Sequence, residues 1–370
     1  MLVDTNIGGP FDGTPGGDIA TTVDQTRAAA ECGFSGVWTT EVSHNPFFPL
    51  VLAAEHSSRL DLGTAATVAF ARNPMSLAIE ANDVQQMSQG RLLLGIGTQV
   101  KPHIRRRFDM PWTPPVPRLR EYIAAVREIW RTISTGESLD FRGDFYQHTL
   151  FPPMFRPEAH EYGPPPILMT AVGERMTRLA AEVADGILLH GFTTESYLRE
   201  VTSPAISEEL AAQGRSRSDF TISYPGFVVT GDTEEQLTAA ADAVRRQIAF
   251  YGSTPAYAKV LEHHGWDDLH RELHRLSTSN GWASMTSLID DDVLSAFAVV
   301  GTPAQAGEQA TRRFADIVDR FTLYAPYPTV PHVRSQFATA VRANTLTNDH
   351  IARSATDIAR VDDVSGGHRN

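Results

Sequence analysis

The chain has 370 residues, a formal charge of -12 at pH 7 and one cysteine, Cys32. The acidic balance argues against a nucleic-acid partner, and a lone cysteine excludes an internal disulfide or a cysteine-ligated metal cluster. No apolar run approaches 18 residues and the first residues lack a basic-then-apolar leader, so a cytoplasmic protein with no membrane association is expected.

In chain order, Leu2 to Ile7 reads as a first strand. A glycine-rich loop follows, with Asp18 placed to cap a helix over Ile19 to Glu31. Gly36 to Thr39 is a second strand, Glu41 to Pro46 its loop, and Pro49 to Ser57 a second helix. Leu62 to Val68 and Leu92 to Ile96 are strands on either side of a helix over Met75 to Met87, with Pro74 at its first turn. Such a unit is a right-handed parallel crossover, and ligands of parallel α/β folds sit at the strand carboxyl ends. Gly97 to His103 reads as a polar loop and Arg118 to Ile133 as a long helix. Residues 136–165 read as a surface excursion with a short hairpin. Ile167 to Met169, Gly186 to Leu189 and residues 220–229 are strands, each followed by a helix, at Glu174 to Ala184, Glu195 to Gln213 and 233–250. Residues 252–300 break the rhythm as an insertion of short helices. A helix opening at Gly301-Thr302-Pro303, a strand from Asp319 to Tyr324 and a helix within 332–343 complete the pattern. Eight strand–helix units predict an α/β fold, a closed TIM (β/α)8 barrel, as one domain over 1–345 with a polar tail at 346–370.

Gly95-Ile96-Gly97 begins like a dinucleotide fingerprint but lacks its third glycine, and no phosphate-binding GxxxxGK[ST], HExxH or GxSxG pattern occurs. His263, His264, His270 and His274 read as a polar helix face, so no metal site is expected. Four loops converge if the barrel closes. Glu41 to His44, Ala69 to Arg72 and Gly97 to His103 form one wall, where small Ala69 admits a flat ring and Thr98, Gln99 and His103 offer donors. The plainer alternative leaves Glu41 as a loop cap, Arg72 paired at the surface and His103 in solvent. The fourth loop, Thr170-Ala171-Val172-Gly173-Glu174-Arg175-Met176, opens a helix whose free N–H groups suit a phosphate; an ordinary helix start is the alternative.

The stretches LGTAATVAFARNPMSLAIEANDVQQMSQGRLLLGIGTQV and AVGERMTRLAAEVADGILLHG resemble the bacterial luciferase-like superfamily, and more narrowly its coenzyme F420-dependent oxidoreductases of actinobacteria. The resemblance implies a pocket at the barrel mouth and a non-proline cis peptide at about Ala69-Phe70, backing a deazaflavin ring. It implies that Gly97, Thr98 and His103 lie along the ring and its chain, and that Ala171, Val172, Gly173 and Glu174 hold the phosphate, with Gln99 and Met176 on the same loops. Members acting on a sugar phosphate carry an Asp-His pair after the second strand; Thr40-Glu41 stands there instead. The insertion at 252–300 matches the family's lid in position, with His263, Trp266 and Trp282 as candidates for a substrate wall. The implied activity is hydride transfer between F420 and a small organic substrate, with Glu41 and His44 as proton donor or acceptor and His103 behind them. An FMN-dependent monooxygenase of the same fold and a catalytically inactive ligand-binding barrel are the alternatives. Arg105, Arg106 and Arg107 favour F420, whose polyglutamate tail wants a basic groove. A homodimer is expected, through helices of the second and third units.

Overall fold

A computed structural model describes residues 1–8 and 19–345. The expected glycine-rich loop beyond Gly8, the Asp18 cap and the 346–370 tail lie outside the described residues. The first half of the chain folds as β1 (Leu2–Asn6), α1 (Thr22–Cys32), β2 (Gly36–Thr39), α2 (Phe47–His56), β3 (Asp61–Thr64), β4 (Thr67–Val68), α3 (Pro74–Met87), β5 (Leu92–Gly97), α4 (Lys101–Arg106) and α5 (Pro115–Thr135). A hairpin of β6 (Phe141–Arg142) and β7 (Gln147–His148) follows, then β8 (Ile167–Thr170), α6 (Glu174–Val183) and β9 (Gly186–Leu188). Next come α7 (Glu195–Tyr197), continuing through a π-helical turn into α8 (Ser203–Ala212), and β10 (Thr221–Thr230) with α9 (Glu234–Gly252). The insertion holds α10 (Ala258–His263), α11 (Asp267–Thr278), α12 (Trp282–Met285) and α13 (Asp291–Phe297), before β11 (Ala298–Gly301), α14 (Pro303–Phe314), β12 (Arg320–Tyr324) and α15 (331–345).

Eight parallel strands close in the order β12-β1-β2-β3-β5-β8-β9-β10 and back to β12. The (β/α)8 barrel is therefore as expected. Its interior is filled by Trp38, Leu168 and Leu188, with Ala65, Ala66 and Leu93 packed against them. Glycines make room for this layer: a Cβ on Gly63 would meet the Trp38 ring at 2.1 Å, and one on Gly95 would meet the Thr64 carbonyl oxygen at 1.7 Å. Gly95 and Gly97 thus serve barrel packing and not a nucleotide turn. The outer core joins strands to helices through residues such as Val37, Leu77, Ile129 and Phe321. No helix among the described residues is long and apolar enough to cross a membrane.

Most helix limits follow local chemistry. Asn73 accepts the Met75 N–H at 2.9 Å with Pro74 in the first turn, and Thr302 with Gln305 forms a capping box on α14. Three expectations need correction. The single strand expected over Leu62 to Val68 is two strands, β3 and β4, separated at Ala65–Ala66. The polar loop reaching His103 turns helical at Lys101, where Pro102 tolerates a first turn. The insertion ends in a strand, β11, too short to carry a periodic signal. It exists because β10 outgrows the barrel: Thr221 to Ser223 pairs with β9, Ser223 to Phe227 with β12, and Phe227 to Thr230 with β11. A second core of Phe192, Phe227, Leu273, Phe297 and Tyr324 seats the insertion helices on that extension.

Candidate active site

The strand carboxyl ends converge on a cavity of about 170 Å3. Asn6 ends β1, Thr40 follows β2, Ala65 follows β3 and Thr170 ends β8, all at the rim. His190 follows β9, and Tyr324 ends β12, opposite them. The Thr40 hydroxyl is buried without a hydrogen-bond partner among the described residues. Beside it the Ala65–Ala66 peptide is cis, four residues before the expected Ala69–Phe70 position.

His190 forms the wall between this cavity and a second of about 70 Å3. Its ring stacks on Tyr257 (4.4 Å between centroids) and meets the Tyr251 ring edge-on at 4.7 Å. The Phe192 N–H donates to its Nδ1 at 3.0 Å, which puts the ring proton on Nε2. Burial pushes its pKa down to about 4, so the imidazole is neutral at physiological pH. The Tyr251 and Tyr324 hydroxyls pair at 3.0 Å, and burial raises both pKa values, so both stay protonated.

The second cavity lies at the start of α6, against Ala171, Val172, Gly173, Glu174 and Thr177. Gly173 caps the helix at φ 78° with no side-chain cap, and a Cβ there would have nothing within 4 Å. No described side chain caps the first turn, and an uncapped helix start is an arrangement that can receive anions. The Glu174 carboxylate turns aside to Arg178 at 3.0 Å. Arg178 also binds Glu208, so it is not a phosphate ligand in this arrangement.

The other residues singled out from the sequence lie elsewhere. Glu41 binds Arg72 (2.5 Å) and accepts the Val68 N–H (2.7 Å), clamping the loop after β2 onto β4; it does not line the cavity. His44 is half-buried in that loop, and His103 is exposed on α4. Ala69 and Phe70 are fully buried, with Arg118 over the Phe70 ring at 4.2 Å, and neither lines the mouth cavity. Gly97 packs against Thr170, the Thr98 hydroxyl donates to the Gln99 carbonyl (3.0 Å), and Gln99 adopts φ 57°. Met176 packs against the core. Of the lid candidates, Trp266 stacks on His264, His263 contacts Ser196, and Trp282 lies outside beside Phe250. None of the three lines either cavity; Tyr251, at the end of α9, borders the mouth cavity, and Tyr257, just beyond it, borders the second. His270 and His274 instead bond the carbonyls of Gly252 and Ser253, and no metal-binding group occurs among the described residues.

Sequence reasoning missed His190, Tyr251, Tyr257 and Tyr324. For His190 a signal existed: it is the first polar residue after an apolar barrel strand, at the carboxyl end. Tyr251 carries no such signal, because it reaches the mouth from the far end of a helix.

The family described as luciferase-like monooxygenase matches residues 3–320 of this chain. An uncharacterised protein of Mycobacterium tuberculosis is 51% identical over 310 residues, covering 84% of this chain and 91% of that protein. A 5,10-methylenetetrahydromethanopterin reductase of Archaeoglobus fulgidus is 28% identical, covering 75% of this chain and 81% of the reductase. Among solved structures, the coenzyme F420-dependent tetrahydromethanopterin reductase of Methanopyrus kandleri superposes with a TM-score of 0.75 at 19% identity, covering 91% of this chain and 97% of that one.

Proposed function

The chain belongs to the luciferase-like monooxygenase family, and from that premise we propose that it is an F420-dependent oxidoreductase acting on a small organic substrate. The observation that carries the reading is one shared wall. Ala171, Val172 and His190 border both the mouth cavity and the uncapped start of α6, so a flat ring and its phosphate can be held side by side. The residues present fit such a group. Thr40 offers an unpaired hydroxyl, Ala65 leaves space for a ring, and the α6 N–H groups with Gly173 suit a phosphate. When bound, a deazaflavin supplies two-electron hydride chemistry. Exposed Arg105 and Arg106 on α4, which leaves β5 at the same end of the barrel, favour an acidic cofactor tail and so F420 over FMN. The F420 dependence in the name of the Methanopyrus structure adds to that support.

The chain's own part is to exclude water and to manage a proton. Tyr251 from the end of α9 and Tyr324 from the end of β12 wall the mouth cavity, and Tyr257 walls the second. Glu41, His44 and His103, the proton carriers expected from sequence, give way to His190 in this reading, since it alone of the four borders the cavity. Exposed Phe48 and Leu52 on α2 support a homodimer packed through that helix.

The test is parallel titration of the purified protein with F420 and FMN, following cofactor fluorescence and tryptophan quenching. Saturable F420 binding with little FMN binding is expected. The reverse would overturn F420 in favour of a flavin monooxygenase, and binding of neither would leave a barrel without this cofactor chemistry.

A further inference from the structure

Two rim residues of the mouth cavity, Thr40 and Ala65, stand outside any helix or strand. Thr40 opens the loop after β2, and Ala65 lies between β3 and β4. The Ala65 N–H donates to the Thr39 carbonyl at 2.6 Å, which ties the two segments together at their base. Beyond that bond, Glu41 is the one residue of 40–44 whose side chain hydrogen-bonds another element among the described residues. Its Oε2 accepts the Val68 N–H of β4 at 2.7 Å, and its two oxygens meet Arg72 Nη1 at 2.6 and 2.5 Å. Arg72 Nε in turn lies 3.4 Å from Glu80 Oε2 on α3.

Helix α3 is itself fixed. Leu77, Ala78 and Ala81 are fully buried, and the Trp130 indole of α5 donates to the Ala78 carbonyl at 2.9 Å. The rim is therefore tied through Arg72 to a packed helix. The Arg72 and Glu41 side chains are only 13% and 9% exposed, so water and salt screen their attraction weakly. Neither lines the cavity. We infer that Glu41 and Arg72 are positioning residues: acting as one unit, they hold the Thr40 hydroxyl and Ala65 in place against the flat ring without touching it. The inference rests on the mouth cavity receiving the ring of the proposed cofactor.

The test titrates Glu41→Gln, Arg72→Gln and the double variant with F420, counting folded protein only. Glu41→Gln keeps the length of the side chain and removes its charge. Each single variant should weaken F420 binding by roughly tenfold, and the double variant by no more, because two residues acting as a unit are not additive. The absorption spectrum of the bound cofactor should depart from that of the wild-type complex in all three. Arg320→Met is the control: it loosens the barrel floor, far from the mouth, and should lose stability while keeping wild-type affinity and spectrum. If a glutamine variant does not fold, Arg72→Lys, which keeps the cation, carries the same test with the same spectral change expected. Wild-type affinity and spectrum in the variants, losses that multiply in the double variant, or an equal loss of affinity in Arg320→Met would overturn the inference. Absent F420 binding by the wild type would instead overturn the cofactor reading. Amide hydrogen exchange without ligand then decides the pair: faster exchange at 40–46 and 65–72 in the variants supports it, and unchanged exchange overturns it.

Discussion

Arg320 and His190 occupy opposite ends of the barrel and use burial in opposite ways. Arg320 is 5% exposed and binds Asp4 through two nitrogens (2.7 and 2.9 Å) and Asp61 through the third (2.8 Å). The Trp38 indole donates to the same Asp4 at 3.0 Å. Burial alone would push the guanidinium's pKa down; the two carboxylates outweigh it and raise it. Arg320→Met would leave the fully buried Asp4 without a counterion, so a loss of about 3–5 kcal/mol is expected in urea unfolding. Arg320→Met with Asp4→Leu should recover much of it, because no lone charge is then buried. An unchanged midpoint in the single variant would show that the cluster does not hold the barrel floor. His190 is instead kept neutral, with its pKa lowered to about 4 from an ordinary 6.5. Between those values the unfolded chain binds a proton that the folded chain refuses, so stability is full above pH 6.5 and falls as pH drops toward 4. Denaturation across that window should therefore show a shallower decline for His190→Gln than for the wild type. Equal slopes would mean that the folded ring accepts its proton normally. None of these partnerships was legible in the sequence. Asp4 and Arg320 stand 316 positions apart, and although the plainer reading had Glu41 capping a loop and Arg72 paired, it did not name them as each other's partners.

Among elements, α11 shows how the insertion is held. Helix α9 ends with carbonyls that have no partner within the helix. His270 and His274, one turn apart on α11, donate to Gly252 (2.7 Å) and Ser253 (2.9 Å). Tyr251, which shapes the cavity, is the next residue back. Pinning α11 thus also steadies the cavity's lid-side wall. In His270→Ala/His274→Ala, amide hydrogen exchange in α11 should speed up by roughly tenfold, each neutral bond being worth about 1 kcal/mol, while β1 to β5 stay protected. Unchanged exchange in α11 would locate its anchorage in the buried Leu273 contact instead. The helix-period pattern at 266–276 was readable from sequence, and so was the polar character of the two histidines. Their acceptors were not, because a helix end and the helix that caps it meet only after folding.

For the whole molecule, the barrel brings one residue from each of several strand ends to one place, and the proposed cofactor would bind only that assembled state. Ligand that binds the folded form alone stabilises it by about 2.7 kcal/mol at a hundredfold excess over Kd. F420 should accordingly raise the thermal midpoint in a concentration-dependent way, and a flat response would argue against the proposed cofactor. The sequence by itself determined the eight strand–helix units, most of their limits and the end of the barrel where the cavity opens. Those features rest on side-chain periodicity, prolines and caps, all of which act within a few residues. Only the tertiary structure decided that β10 outgrows the barrel and recruits β11, that Ala65–Ala66 is the cis peptide, and that His190, Tyr251 and Tyr324 line the mouth. Pairing, burial and the fit of a cavity depend on residues far apart in the chain, and closure of the barrel is what brings them within a hydrogen bond of one another.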